Sequence, residues 1–271
     1  VTSLSEFVAI AHTLWPLEGA EEWDASGLVA GDPQQPINSV LLAVDAVADT
    51  VAEAIDTRAD LLVTHHPLLL KPIHTVSEER YKGSLLSGLI RHNVALLATH
   101  TNADVVENGV SDVIAHALGL TDITPITPGT LPGTGIGRVG ELSTATTLGE
   151  LAQQLAKILP HTAGGVKVSG DYTQSISRVA LCGGAGDGLL SEPRVIGADV
   201  YITSDLRHHP AQEAREQARL SGGPALIDVS HWASEWLWLE TAAQQLHAAL
   251  PDVSFRVSEL RTDPWDFLVV Q

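Results

Sequence analysis

Short aliphatic runs of strand type alternate along this chain with segments of helical periodicity, a pattern that a mostly parallel α/β sheet accommodates and few other folds do. INSVLLAVDA reads as a strand, VADTVAEAIDTRA as a helix and DLLVTHHP as a second, buried strand, which together make a β-α-β unit. The alternation continues with a helix near SLLSGLIRHN, the strand VALLATH and a helix through GVSDVIAHALGL. At the amino end, SLSEFVAIAHTLWP is a helix capped at Ser3 or Ser5 and ended by Pro16, and WDASGLVAGDP reads as a loop. The segment TPITPGTLPGTGIG, rich in Pro, Gly and Thr, reads as a connection between two packed units. Beyond it GRVGELS, ISRVALCGG, ADVYITSD, PALIDVSH and FRVSEL are strands. TTLGELAQQLAKILP, PAQEAREQARLSG and HWASEWLWLETAAQQLHAALP are helices. A length of 271 residues also suits two domains.

A weak internal repeat runs through this alternation. The run from Ile37 to Leu42 resembles that from Ile176 to Leu181, and Ala59-Asp60 resembles Ala198-Asp199, at one offset of 139 positions (176 − 37 and 198 − 59). Strands LLATH and IDVSH end at His100 and His231, each with a carboxylate four residues on, Asp104 and Glu235. Short apolar strands resemble one another by composition alone, so duplication and chance both stay open.

The strand ends carry the chemistry. His65 and His66 stand at the carboxyl end of LLVT, the edge of an open α/β sheet where ligands collect. Successive strand side chains diverge, so adjacent imidazoles suit two neighbouring ions better than one, although HHP alone reads more readily as a His pair bonded to main chain. His231 and Glu235 lie one helical turn apart on one face, within reach of a single metal or of a plain ion pair. Asp104 follows the third strand in the polar stretch HTNADVVENG and suits either a ligand or a helix cap. Imidazoles and carboxylates without thiolates fit Zn, Mn, Fe, Co or Ni. Cys182, the single cysteine, lies in VALCGG and reads as a packed strand thiol.

A net charge of -18 repels phosphate backbones and anionic lipid surfaces, and the 15 Lys and Arg form no basic run, so nucleic acid is disfavoured as a partner. The chain has no apolar run of about 18 residues and no signal-type start, so a cytoplasmic protein with no membrane partner is expected.

THHPLLLKPI, THTNADVVENGVSDVIAHALG and DVSHWASEW, in this order and after WDASGLVAGDP, resemble the signature segments of the NGG-interacting factor three-like family, whose members carry the label GTP cyclohydrolase I type 2 homolog. Where that family's opening motif usually has Asn, this chain has Ala25. The resemblance implies a dinuclear site of two divalent ions on His65, His66, Asp104, His231 and Glu235; Asp104 and Glu235, each with two carboxylate oxygens, are candidates for shared ligands. His100 falls outside that ligand set and is taken as the catalytic candidate, either for proton transfer or for support of the ligands from behind. Asp205, Arg207, His208 and His209 occupy the corresponding strand end of the second half and stand as cavity-lining candidates or as a solvated loop.

The implied fold is two intertwined, duplicated α/β domains with mixed four-stranded sheets flanked by helices. Residues 1–125 plus 228–271 form the first domain, with most metal ligands, and residues 126–227 the second. The implied assembly is a toroidal homohexamer. The function expected from these readings is a metal-dependent hydrolase of a small nucleotide-like or phosphorylated substrate. The alternative is a metal-handling or scaffold protein using the same ligands.

Overall fold

A computed structural model describes residues 1–270, and two compact units divide them. The first comprises Val1–Ala103 with Leu239–Thr262, and the second Asp104–Trp238 with residues from Asp263 onward. The protein is α/β, with a mixed sheet flanked by helices in each unit. No helix among the described residues is long and apolar enough to cross a membrane.

The sheet of the first unit has the order Ser254–Val257, Ser39–Ala43, Leu61–Thr64, Ala95–Ala98, Gly27–Ala30. Its first four strands are parallel and Gly27–Ala30 runs antiparallel at the edge. Helices Ala48–Asp56 and Tyr81–Arg91 make the crossovers between its central strands. Leu61–Thr64 and Ala95–Ala98 are buried throughout, as expected of parallel strands covered on both faces. The opening helix, Leu4–Leu14, is capped by Ser3 in a capping box with Glu6.

The second unit has the order Lys167–Ser169, Ala225–Val229, Val200–Ser204, Ser175–Ala185, Arg138–Thr147, Leu120–Thr124. Ala225–Val229, Val200–Ser204 and Ser175–Ala185 are parallel to one another, and the remaining pairings are antiparallel.

The sheets therefore hold five and six strands where four were expected in each. Three parallel strands and one antiparallel edge recur in both, and extra strands extend this core: Ser254–Val257 in one unit, Arg138–Thr147 and Leu120–Thr124 in the other. A local clamp recurs as well. Asp60 accepts main-chain hydrogen bonds from Asn38 (2.8 Å) and Ser39 (3.0 Å), and Asp199 accepts them from Ser177 and Arg178 (2.8 Å each). GLVA, read as loop, becomes a strand because Ala95–Ala98 offers it an open edge, a partner that local pattern does not reveal.

The two compact units have bounds at 103/104, 238/239 and 262/263, whereas the sequence reading places domain bounds at 125/126 and 227/228. The Pro/Gly/Thr-rich segment lies inside the second unit as a short ribbon pairing Thr127–Pro128 with Gly135–Ile136. Arg138, only 2% exposed, ties this ribbon down. Its guanidinium donates to Asp112 Oδ1 (2.7 Å) and to the carbonyls of Gly135 (2.7 Å), Gly137 (2.8 Å) and Val106 (2.7 Å). Gly135 stands at φ +152°, where a Cβ would lie 2.3 Å from the Thr127 carbonyl oxygen, so only glycine fits the ribbon.

Removing one partner of a buried ion pair leaves the other charge uncompensated. Arg138→Met is therefore expected to lower stability by about 3–5 kcal/mol in urea unfolding, and Arg138→Met with Asp112→Leu to recover part of the loss. A single-variant loss below about 1 kcal/mol would show that the pair contributes nothing beyond an exposed one.

Candidate metal centre

The first unit gathers three imidazoles at one sheet edge. His65 and His66 follow Leu61–Thr64, and His100 follows Ala95–Ala98, the parallel neighbour of that strand. One ring nitrogen from each lies within 4.8 Å of those of the other two, and the ring centroids are 5.2–5.4 Å apart. His65 is fully buried, and the His100 side chain is 12% exposed.

Each ring is held through Nδ1. His65 Nδ1 donates to the Thr99 carbonyl (2.9 Å), His66 Nδ1 to Asp45 Oδ1 (2.7 Å) and His100 Nδ1 to Asp24 Oδ1 (2.7 Å). A carbonyl or carboxylate partner at Nδ1 sets the tautomer and directs the Nε2 lone pair away from it, as in metal-ligating histidines. Thr262 in turn donates to the other oxygen of Asp45.

Asp24 is the most heavily bonded carboxylate of this group. Besides His100 it accepts from Ala25 N (2.7 Å), Ser26 Oγ (2.8 Å), Thr101 N (3.1 Å) and Thr101 Oγ1 (2.5 Å), and its side chain is 1% exposed. Burial alone would raise the pKa of this carboxyl, but hydrogen bonds from His100, Thr101 and Ser26 outweigh it and hold the group well below the usual aspartate range.

The second unit carries the remaining residues. His231 opens the helix His231–Ala249, and its Nε2 lies 2.8 Å from Glu235 Oε1 one turn on, while its Nδ1 donates to Asp205 Oδ2 (2.8 Å). Burial acts to lower the pKa of His231, yet the Glu235 and Asp205 carboxylates override it and push the imidazole up to about 11. Glu235 is buried, at 3% exposure. A nest of this polarity strongly favours positive charge, and Nε2 and Oε1, which share a proton in the pair, are the two donors a divalent ion would take. Asp104 ends the helical turn Thr101–Asp104 and is half-buried. Burial first, and then the Asp104 and Glu235 charges, push the Cys182 thiol up to about 12, so this cysteine is neither a nucleophile nor a thiolate ligand at neutral pH.

The donor set fits a divalent metal: four imidazoles with Nδ1 already engaged, buried or half-buried carboxylates and no thiolate. His65, His66 and His100 come together in the first unit, and His231 and Glu235 in the second. Asp205 is assigned to the Nδ1 of His231. His208 and His209 pack edge to face on each other, 5.1 Å between centroids, and Arg207 pairs with Asp187. Sequence reasoning missed Asp24 and Asp45 as holders of His100 and His66. Asp24 stands in the WDASG stretch, but nothing local links it to a histidine 76 positions away.

Residues 2–264 match the family model Duf34/NIF3 (NGG1p interacting factor 3). A GTP cyclohydrolase 1 type 2 homolog of Streptomyces coelicolor is 45% identical over 269 residues, covering 97% of this chain and 93% of the relative. One from Streptococcus pneumoniae is 33% identical over 267 residues, covering 96% and 98%. Among solved structures, a Bacillus cereus protein related to NIF3 has a TM-score of 0.87 at 22% identity, covering 99% of this chain and 100% of that one, a likeness of fold.

Asp24→Asn should cost about 1–3 kcal/mol at neutral pH in chelator-treated protein, the usual penalty for disturbing a buried hydrogen-bonded group. The folded carboxyl titrates below its unfolded value, so its contribution is complete above about pH 4 and fades as the pH falls further. The stability gap between wild type and variant, read by urea unfolding, is expected to narrow in acid. A gap that stays constant down to pH 3 would show that the carboxylate charge is not the source.

Proposed function

The chain belongs to the Duf34/NIF3 family, and from that membership we propose that it is a metal-dependent hydrolase holding two divalent ions on His65, His66, Asp104, His231 and Glu235 and acting on a small nucleotide-like or phosphorylated compound. The observation that carries this reading is the shared anchoring of the imidazoles: every one has its Nδ1 bonded to a carbonyl or carboxylate, the arrangement that fixes tautomer and ring orientation in metal-ligating histidines. The relatives' name, GTP cyclohydrolase 1 type 2 homolog, agrees with a nucleotide-like substrate. Divalent ions at such donors supply Lewis acidity, polarising a substrate oxygen and making water nucleophilic near neutral pH.

The protein's own groups divide the remaining work. Asp45 and Asp205 hold the rings of His66 and His231 in the orientation a ligand needs. Glu235 and Asp104 would supply the negative charge that offsets two cations. His100, backed by Asp24, takes or gives a proton at Nε2 during turnover. The recurring clamps at Asp60 and Asp199 support reading the two units as duplicates, with His66 and Asp205 at equivalent strand ends.

His66→Ala and Glu235→Ala are each expected to weaken metal binding by more than about tenfold, the least effect expected where even a residue supporting a ligand costs that much, with the circular dichroism spectrum unchanged. Elemental analysis after dialysis against buffered metal reads the outcome, and unchanged metal content would refute the assignment. Metal-loaded wild type is expected to turn over at least one member of a panel of nucleotides and phosphoesters. Retained ions with no turnover on the whole panel would replace the hydrolase reading with metal storage or delivery.

A further inference from the structure

Trp23 has an environment unlike that of Trp15 or Trp238, which are fully buried. It is 60% exposed, although an indole is among the costliest side chains to leave in water. Its loop is nonetheless held firmly. Glu21 N donates to Thr101 Oγ1 (2.9 Å), Asp24 N to the Glu21 carbonyl (3.0 Å), and the five hydrogen bonds accepted by Asp24 pin the residue next to Trp23. The indole meets His100 at a centroid distance of 5.7 Å and an interplanar angle of 77°. A contact at that angle leaves most of the indole surface uncovered, and it joins the indole to the cluster in which His100 lies 5.2 Å from His65 and 5.4 Å from His66.

We propose that Trp23 is the stacking platform for a planar heteroaromatic ring of the substrate, held beside the imidazole cluster by the Asp24 anchor. The proposal rests on the metal-centre reading above and deepens it: charged oxygens go to the ions, and the flat ring goes to the indole. The chemistry favours this division. A fixed aromatic face binds a heteroaromatic base by about 1–3 kcal/mol without hydrogen-bond readout, and an indole already immobilised by its loop loses little entropy on contact. A ring on Trp23 would also lie within one side chain of His100, where proton transfer to a ring nitrogen or to an adjacent leaving group is available.

The test uses the manganese-loaded protein and two probes that share a ribose 5-phosphate unit, guanosine 5′-monophosphate with a base and ribose 5-phosphate without one, titrated calorimetrically. Wild type is expected to bind the nucleotide at least about fivefold more tightly than the sugar phosphate, the lower end of that stacking range. Trp23→Ala should weaken nucleotide binding by about 5- to 100-fold while leaving ribose 5-phosphate within about twofold, and Trp23→Phe should retain most of the preference.

Equal losses for both probes in Trp23→Ala, or no preference for the nucleotide in wild type, would overturn the stacking role. A change of sedimentation coefficient in Trp23→Ala would also overturn it and assign the indole to a contact between copies of the chain. Metal content, measured on the same samples, separates the two levels: ions bound without ring preference refute the platform alone, whereas a wild type that binds no ions refutes the metal centre as well.

Discussion

The parallel ladder through Ser39–Ala43, Leu61–Thr64 and Ala95–Ala98 places the site residues of the first unit. It continues past the last paired strand residues, with His65 N bonded to the Ala43 carbonyl (3.1 Å), His66 N to that of Val44 (2.8 Å) and Thr99 N to that of Thr64 (2.9 Å). These bonds hold the main chain of two neighbouring strand ends in register. His65 and His100 can then stand side by side, and His65 Nδ1 closes the arrangement on the Thr99 carbonyl. A register slip of one residue would reverse every side chain and scatter the three imidazoles to opposite faces.

Carboxylates supply the second constraint. Asp24, Asp45 and Asp205 each spend an oxygen on a histidine Nδ1, and each is drawn from a segment remote from the histidine it holds. Asp205 does so from a left-handed backbone conformation (φ 56°), uncommon for a residue with a side chain, at the end of Val200–Ser204. Gly184 complements it. At φ +68° its Cα approaches the pair so closely that a Cβ would lie 2.7 Å from Glu235 Oε1 and 3.4 Å from His231 Nε2. Local strain at Asp205 and close approach at Gly184 are both found beside the groups that would carry the chemistry, where such features tend to collect.

Much of the architecture was legible because its cause is local. The β-α-β alternation follows from side-chain periodicity, and each helix and long strand read from it is present, including Leu148–Ile158 with its Thr147 and Glu150 capping box. Among the elements that pattern did not reveal, Gly27–Ala30, Lys167–Ser169 and Leu120–Thr124 are short edge strands, which exist because a neighbouring strand has hydrogen-bonding groups to spare. The Pro/Gly/Thr-rich segment misled for a related reason: turn composition marks where the chain bends, and the buried guanidinium of Arg138 decides which unit the bend belongs to.

The same division holds at the site. Sequence alone determined that histidines stand at the ends of buried strands and that His231 and Glu235 share a helix face, since strand ends and helical spacing are short-range properties of the chain. Only the tertiary structure decided that His100 joins His65 and His66, that Asp24 and Asp45 hold their rings, and that Trp23 stays in water beside them. Those outcomes depend on the pairing of strands and the docking of a loop far away in sequence. No local propensity encodes such distances, because the energy that sets them is released only when the sheet has formed.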